Sequence, residues 1–201
     1  LREEDKATAS PVLFGYDHRS KGVWAMAVDK KGPTPSSVQW LVNKIDEAGC
    51  RGTKIVLRSD QEEAIIALKK AVAIRRKAET VSIESPVRDS RANGAAERAV
   101  RTWAAQVRTV RHHLEFRLQC KIDRNSPLMT WLVTWAAEVL WCRYKIQSYG
   151  RTSYEFNTGH KGTQAIAIFG ERVMFQYTPD KNNRKKMDTD WDSGFFMGVN
   201  P

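Results

Sequence analysis

The stretch KIVLRSDQEEAIIALKKAV, residues 54–72, opens with a short, continuously apolar run and passes into a longer pattern typical of a helix. A run such as KIVL is typical of a strand that is buried on both faces. Residues 59–72 are predicted to form a helix, and TVSI at 80–83 is predicted to form the next strand. This strand–helix–strand order indicates an α/β fold, with parallel strands at the centre of a mixed sheet and helices flanking it.

A hairpin and a helix are predicted upstream of this unit. The segment Pro11–Val28 contains two apolar strands separated by the turn-forming sequence DHRSKG. In residues 33–50, serines precede a helical pattern and Gly49 ends it. The apolar residues of that pattern keep the spacing of one helix face: Val38, Leu41, Val42 and Ile45.

A long helix is predicted downstream, over residues 93–118. One apolar stripe on it should pack on the sheet, and its members are Trp103, Val107, Val110, Leu114 and Leu118. A different ridge, away from that stripe, carries Glu97, Arg101, Ala104 and Arg108. The helix is therefore expected to bury one side and to present these charged residues on another.

A second long helix is predicted over residues 127–146, and it is apolar nearly all round. Three large side chains, those of Trp131, Leu140 and Trp141, lie off its main apolar stripe. A helix of this kind needs a second cover besides the core. Two covers stay open, the carboxy-terminal β-rich segment and an interface between two copies of the chain, and we expect each to supply part of it.

The pattern changes after Gly159. The segments FGERVMFQY and SGFFMGV have the alternation of strands, and the basic sequence KNNRKK lies between them. We therefore divide the chain into a domain over residues 1–159, incomplete at its amino terminus, and the start of a small β-rich segment over residues 160–201.

Composition limits the possible partners of this chain of 201 residues. Its formal net charge is +10, while 41% of its residues are hydrophobic. That apolar content is enough to fill a core, so the charge belongs to the surface and favours a polyanion such as nucleic acid over a membrane. The most apolar run, residues 128–142, is too short to cross a bilayer and contains Glu138. Three widely separated cysteines without a CxxC pair suit a reducing, intracellular compartment.

Two acids are candidates for a site. Asp60 directly follows the KIVL strand, at the carboxyl end of the sheet, and Glu97 lies in the first turn of the helix predicted from residue 93. Each has an ordinary interpretation, Asp60 as a helix N-cap and Glu97 as a partner of the helix dipole. The 36 residues between them, Gln61–Ala96, contain one helix and one strand, an order that can bring both acids to the same sheet edge.

The motifs LRSDQE, residues 57–62, and SP…NGAAER, residues 85–98, together resemble the catalytic core of retroviral and long-terminal-repeat retrotransposon integrases, particularly the Copia-like branch. The resemblance covers Val12–Gly159 and continues weakly through FGERV and WDSGFFMGV, so the chain looks like a fragment of a retrotransposon polyprotein. It implies a ribonuclease-H-like fold and a polynucleotidyl transferase that carries out 3′-end processing and strand transfer of transposon DNA. It also implies a homo-oligomer that reaches the nucleus when it integrates.

The same resemblance implies roles for individual residues. Asp60 and Glu97 match the family's second aspartate and its glutamate, which are catalytic and bind Mg²⁺ or Mn²⁺. Hard carboxylate oxygens suit those ions, which activate an attacking oxygen and stabilise a leaving one. Arg98, Arg101 and Arg108 are implied as contacts to the DNA backbone, although Ala104 stands where related integrases often carry a second basic residue.

The family's first catalytic aspartate has no match in this chain. Asp17 lies in the hairpin turn, where an aspartate is expected to form the turn rather than to bind a metal. We therefore expect the first strand and its aspartate upstream of Leu1, and an inactive chain in their absence. Two alternatives stay open: a decayed ribonuclease-H-like domain that binds nucleic acid without cutting it, and a cellular nuclease of the same fold.

Overall fold

The computed structural model describes residues 10–85, 90–146, 148–162, 167–176 and 191–198, without the side chains of 90–93. These residues contain six strands and five helices. In chain order they are β1 (Val12–Tyr16), β2 (Val23–Ala27), α1 (Pro35–Ile45) with a π-helical turn after it (Asp46–Cys50), β3 (Ile55–Ser59), α2 (Glu63–Arg75), β4 (Thr80–Glu84), α3 (Ser90–Leu118), α4 (Pro127–Arg143), α5 (Ser153–Thr158), β5 (Arg172–Gln176) and β6 (Trp191–Phe195).

The described strands pair in three two-stranded ladders, whereas the sequence predicts one mixed sheet with parallel strands at its centre. Strands β1 and β2 form the predicted antiparallel hairpin, in which Val12 lies opposite Ala27 and Tyr16 opposite Val23. Strands β3 and β4 are parallel, as their strand–helix–strand order predicts, and β5 pairs with β6 in antiparallel fashion. Among the described residues, each of the six strands therefore has one edge that no other strand covers.

The hairpin lies between two layers of helices, because successive side chains of a strand point to opposite faces. Phe14 and Val23 face α3 and α4, where they join a cluster with Val133 and Ala137. Leu13 points the other way and packs against the α1 and α2 cluster. The result is a helix–strand–helix arrangement around the hairpin.

Strand β3 is covered by helices on one face alone. Ile55 and Leu57 pack on the buried cluster of Ile45, Leu68 and Val72. On the other face Val56 is 54% exposed, so the expectation that the KIVL strand is buried on both faces is wrong. A short apolar run does not distinguish a half-buried strand from a fully buried one, because the distinction depends on which helices dock.

Two helices begin with the same capping arrangement. Thr34 caps α1 through a reciprocal pair with Ser37, so the serines lie inside this helix instead of before it. Thr152 caps α5 in the same way with Glu155. Helix α5 is absent from the sequence-based prediction, although Thr152 and Glu155 have the spacing of a capping box.

Helix α3 begins at Ser90, three residues before the predicted start, and Gly94 lies inside it. The apolar stripe packs on the hairpin and α4 rather than on a broad sheet. The Trp103 ring lies 5.6 Å from that of Phe14, and its indole N–H donates to the Val133 carbonyl over 3.1 Å. Leu114 is buried as predicted, but Leu118 is 47% exposed. The apolar stripe therefore extends beyond the residues that pack on it.

Helix α4 is covered by other parts of the same chain. Trp141 is buried against Trp24 and Tyr154, with edge-to-face ring contacts, and Leu140 packs on the hairpin cluster. Of the three residues expected to need a partner copy, only Trp131 is largely exposed, at 56%. The second cover that the sequence pattern requires is therefore mainly intramolecular. The helix also ends at Arg143 instead of near residue 146.

Aromatic side chains next to the carboxy-terminal strands pack on the helices. The Phe196 ring lies 5.2 Å from Trp135 of α4, and Phe169 is buried in the cluster of Leu114 and Leu132. Strand β5 lies inside the first predicted strand region, FGERVMFQY, and β6 overlaps the start of the second, SGFFMGV. The basic segment 181–186 lies outside the described residues, and the division at residue 159 stays a prediction. Within the described residues, no helix combines the length and the apolar character needed to cross a bilayer.

The connection from α3 to α4 is held by one carboxylate. Glu115 accepts hydrogen bonds from the Ile122 backbone N–H over 3.0 Å, from Arg111 over 3.0 Å and from Lys121 over 3.2 Å. The Ile122 N–H, followed by the two cations, lowers the pKa of Glu115 from 4.5 to about 2. The charged carboxylate therefore stabilises the folded state.

We expect the Glu115 contribution to be present above pH 4.5 and to be lost as the pH falls toward 2, because a lowered folded-state pKa means that protonation favours unfolding. Glu115→Gln should lower stability at neutral pH and flatten the decline in this acid range. Urea unfolding at stepped pH values measures both effects. Glu79→Gln, which removes an exposed ion pair with Lys54, is the control, and an equal effect from it would contradict the assignment.

The packing of α4 predicts a contrast between two neighbouring residues. Leu132 is fully buried, so Leu132→Ala should cost about 2–5 kcal/mol of unfolding free energy through lost contacts and a cavity. Trp131→Ala next to it should cost clearly less of that free energy, because Trp131 is more than half exposed. Denaturant unfolding measures both, and a large loss in Trp131→Ala would show that another surface covers this ring.

Candidate functional site

Asp60 lies where the sequence predicts it, directly after β3 at the carboxyl end of the parallel pair. Its side chain is exposed, and its Oδ1 atom accepts a long hydrogen bond of 3.3 Å from the Glu62 backbone N–H. The N-cap of α2 is Glu62 rather than Asp60, and the cap makes no side-chain hydrogen bond. The interpretation of Asp60 as the N-cap is therefore wrong in detail. The Oδ2 atom of Asp60 has no hydrogen-bond partner among the described residues.

Strands β3 and β4 end together beside Asp60. The Ser85 N–H donates to the Ser59 carbonyl over 2.8 Å, which extends the parallel register beyond β4. The Gln61 side chain donates to the Ser85 carbonyl over 3.4 Å. These bonds tie the segment that leads toward α3 to the segment that carries Asp60.

A cation from the loop after β2 lies near Asp60. Lys31 pairs with Glu62 over 2.7 Å. The hydrogen bond and the charge of Glu62 raise the pKa of Lys31, and the Asp60 charge adds to this effect. The sequence-based reasoning missed Lys31, because nothing in the local pattern shows that this loop reaches the end of β3.

Glu97 is an exposed residue of α3, and its side chain forms no hydrogen bond or ion pair with a described residue. Because the helix begins at Ser90, Glu97 lies about two turns inside it, and its first turn contains no acid. The helix dipole acts mainly within the first turn. The expectation that Glu97 is a first-turn acid is therefore wrong, and so is the dipole explanation for its presence.

The three arginines implied as DNA contacts are all exposed on α3. Arg98, Arg101 and Arg108 form no ion pair or side-chain hydrogen bond with the described residues. Arginines in solvent without acidic partners are free to bind phosphate oxygens. Their role in DNA binding stays a prediction.

Asp17 is used by its own turn. Its carboxylate accepts hydrogen bonds from the Arg19 N–H over 2.9 Å, from the Ser20 N–H over 3.3 Å and from the Ser20 hydroxyl over 2.5 Å. This is the turn-forming role that the sequence predicts.

The carboxylates of Asp60 and Glu97 are chemically suited to bind a hard divalent cation. Asp60 and Glu97 supply exposed carboxylate oxygens with unused capacity, and Mg²⁺ is often held by one or two carboxylates together with water and substrate phosphates. Among the described residues, no three His, Cys, Asp or Glu side chains lie close enough to form a metal site by themselves. The shared role of Asp60 and Glu97 as ligands stays a prediction.

No family model matches the chain, and no curated protein matches its sequence. Solved structures do match. The catalytic core domain of BIV integrase is 15% identical, with 74% of this chain and 85% of that one covered and a TM-score of 0.47. The HTLV-2 integrase catalytic core domain, in a trimeric form with magnesium, is 12% identical, with 74% and 93% covered and a TM-score of 0.46.

A third match extends over nearly the whole chain. It is the simian T-cell lymphotropic virus intasome in complex with PP2A regulatory subunit B56 gamma, with 11% identity, 93% of this chain covered and a TM-score of 0.52. This likeness shows the fold. The chain has the α/β, ribonuclease-H-like fold that the sequence predicts, and it spans 62% of the length of the intasome chain that it matches.

Proposed function

We propose that the chain is the catalytic core of a retrotransposon integrase of the Copia-like branch, part of a polyprotein. It binds transposon ends and target DNA and carries out metal-dependent 3′-end processing and strand transfer, in the nucleus and as a homo-oligomer. One observation carries the proposal: Glu97 is an exposed acid two turns inside α3 with no structural partner among the described residues. An acid with no packing, capping or pairing role is available for chemistry.

In this proposal each group has a separate task. Asp60 and Glu97 hold the divalent cation, which when bound activates the attacking oxygen and stabilises the leaving one. Arg98, Arg101 and Arg108 bind phosphates and fix the DNA along α3, so that the scissile phosphate lies at the carboxyl end of β3. Lys31 keeps Glu62 paired beside Asp60, which leaves Asp60 as the acid free to bind the cation.

DNA binding without catalysis is the second candidate. It is favoured by the lack of a group of three or more metal-ligating side chains among the described residues. The two candidates differ in what happens when a strand that carries a third carboxylate is added upstream of Leu1.

The catalytic proposal is tested in a chain extended by the upstream strand and its aspartate. Asp60→Asn and Glu97→Gln should each reduce strand transfer with Mg²⁺ or Mn²⁺ more than about a hundred-fold, because each loses a ligand worth several kcal/mol in the transition state. The unextended chain should neither cut nor join DNA. Glu62→Gln is the control, with the same loss of charge two residues from Asp60. Retained joining in either acid variant would contradict the assignment.

The DNA-binding proposal is tested through salt. Duplex affinity should fall steeply as salt rises, because bound lysines and arginines release counterions from DNA. Arg101→Ala should weaken binding and reduce the slope of log K against log salt by about one unit. Arg75→Ala is the control, because Arg75 lies at the end of α2 and donates to the Gln39 side chain of α1 instead of lying on α3. Affinity that does not depend on salt would show that the basic surface is not the DNA site.

A further inference from the structure

A small cavity of about 190 Å³ opens between the hairpin, α3 and the end of α4. Its apolar walls come from all three elements, and they are Val23, Ala95, Ala99, Leu140 and Ile146. An apolar cavity of ~150 Å³ holds benzene, whereas pockets for drug-sized molecules start at about 300 Å³. The cavity therefore has room for one aromatic ring system and little more.

The lining of the cavity also includes cationic and aromatic side chains. Lys21, Arg98, Tyr16 and Tyr144 belong to it, and no acid lines the cavity within the described part of the chain. Arg98 has no acidic partner in the described part of the chain. Burial raises the pKa of Tyr16, and the positive charge of Arg98 acts against that effect, so Arg98 lies close to this phenol. Tyr144 is 53% exposed, so about half of this residue is accessible to a ligand.

The cavity lies beside the candidate catalytic ridge without being part of it. At about 100° per residue, Ala95, Ala99 and Thr102 share one face of α3, and Glu97 and Arg101 lie on another. Arg98 lies between the two faces. A DNA strand bound by Arg98 and Arg101 therefore passes the mouth of the cavity.

We propose that this cavity binds one unpaired nucleotide, with its base against Tyr144 and the apolar walls and its phosphate on Arg98 and Lys21. A base inside a duplex cannot enter, because pairing and stacking hold it in place, whereas an unpaired base stacks readily on an aromatic side chain. The nucleotide can come from a DNA strand or from free nucleoside monophosphate. Binding of a nucleotide that belongs to a DNA strand rests on the proposed function.

The test compares three ligands on the 201-residue chain: a blunt duplex, the same duplex with one unpaired 2-aminopurine nucleotide at an end, and free deoxyadenosine monophosphate. The unpaired nucleotide should tighten binding about five-fold or more, the effect of stacking one base on one aromatic ring. Its fluorescence should be quenched on binding, and free deoxyadenosine monophosphate should compete for the site.

Two threonines of α3 provide a matched pair of variants. The Thr102 hydroxyl donates to the carbonyl of the residue four before it over 3.1 Å, and the Thr109 hydroxyl does the same over 3.0 Å. Both are exposed, but only Thr102 lines the cavity. Thr102→Trp should fill the cavity and abolish the preference for the unpaired nucleotide with blunt-duplex affinity unchanged, whereas Thr109→Trp should preserve the preference.

A second pair of variants does not depend on filling the cavity. Tyr144→Ala should remove most of the preference, and Tyr144→Phe should keep it, because the ring and not the hydroxyl stacks on the base. Salt-dependent binding of the blunt duplex with no gain from the unpaired nucleotide would overturn the cavity proposal and leave the proposed function standing. Competition by deoxyadenosine monophosphate alone, lost in Thr102→Trp, would support the nucleotide site and overturn DNA as its source. Failure of all three ligands to bind would overturn both.

Discussion

Helix α4 is apolar on nearly every side, and the rest of the fold is arranged to cover it. The hairpin packs on Val133 and Ala137, Trp24 and Tyr154 enclose Trp141, and Phe196 from the carboxy-terminal segment packs on Trp135. Fully burying a side chain of the size of Val or Phe stabilises a fold by about 1.5–3 kcal/mol. Segments far apart in the chain are thus fixed relative to one another by a single helix.

The exposure of the candidate site follows from this packing. Helix α3 covers α4 and the hairpin with its apolar stripe, through Trp103 and Leu114, so the ridge with Glu97 and Arg101 is left in solvent. The parallel pairing of β3 and β4 leaves Asp60 at the end of a strand, where its carboxylate is open to solvent. The cavity arises from the same docking, because its walls belong to the hairpin, α3 and α4 together.

Local patterns predicted the hairpin, the parallel β3–β4 unit and both long helices, because each depends on periodicity and turn residues within its own segment. They failed where a nonlocal contact decides the outcome. The exposure of Val56 depends on which helices dock on β3, and the burial of Trp141 depends on Trp24. The start of α3 was misplaced because Asn93-Gly94 suggests a break, yet a helix tolerates a single glycine. In the candidate site, sequence motifs identify Asp60 and Glu97, whereas no local pattern identifies Lys31 or the cavity.

Asp60 and Glu97, with 36 residues between them in the chain, are proposed to bind one and the same divalent ion. Paramagnetic broadening of backbone amide signals by Mn²⁺ tests this most directly. We expect low Mn²⁺ to broaden the amides around both acids at the same ion concentration. Asp60→Asn should remove the broadening around Glu97, and Glu97→Gln should remove it around Asp60. Broadening that persists around either acid after the other is neutralised would contradict the claim.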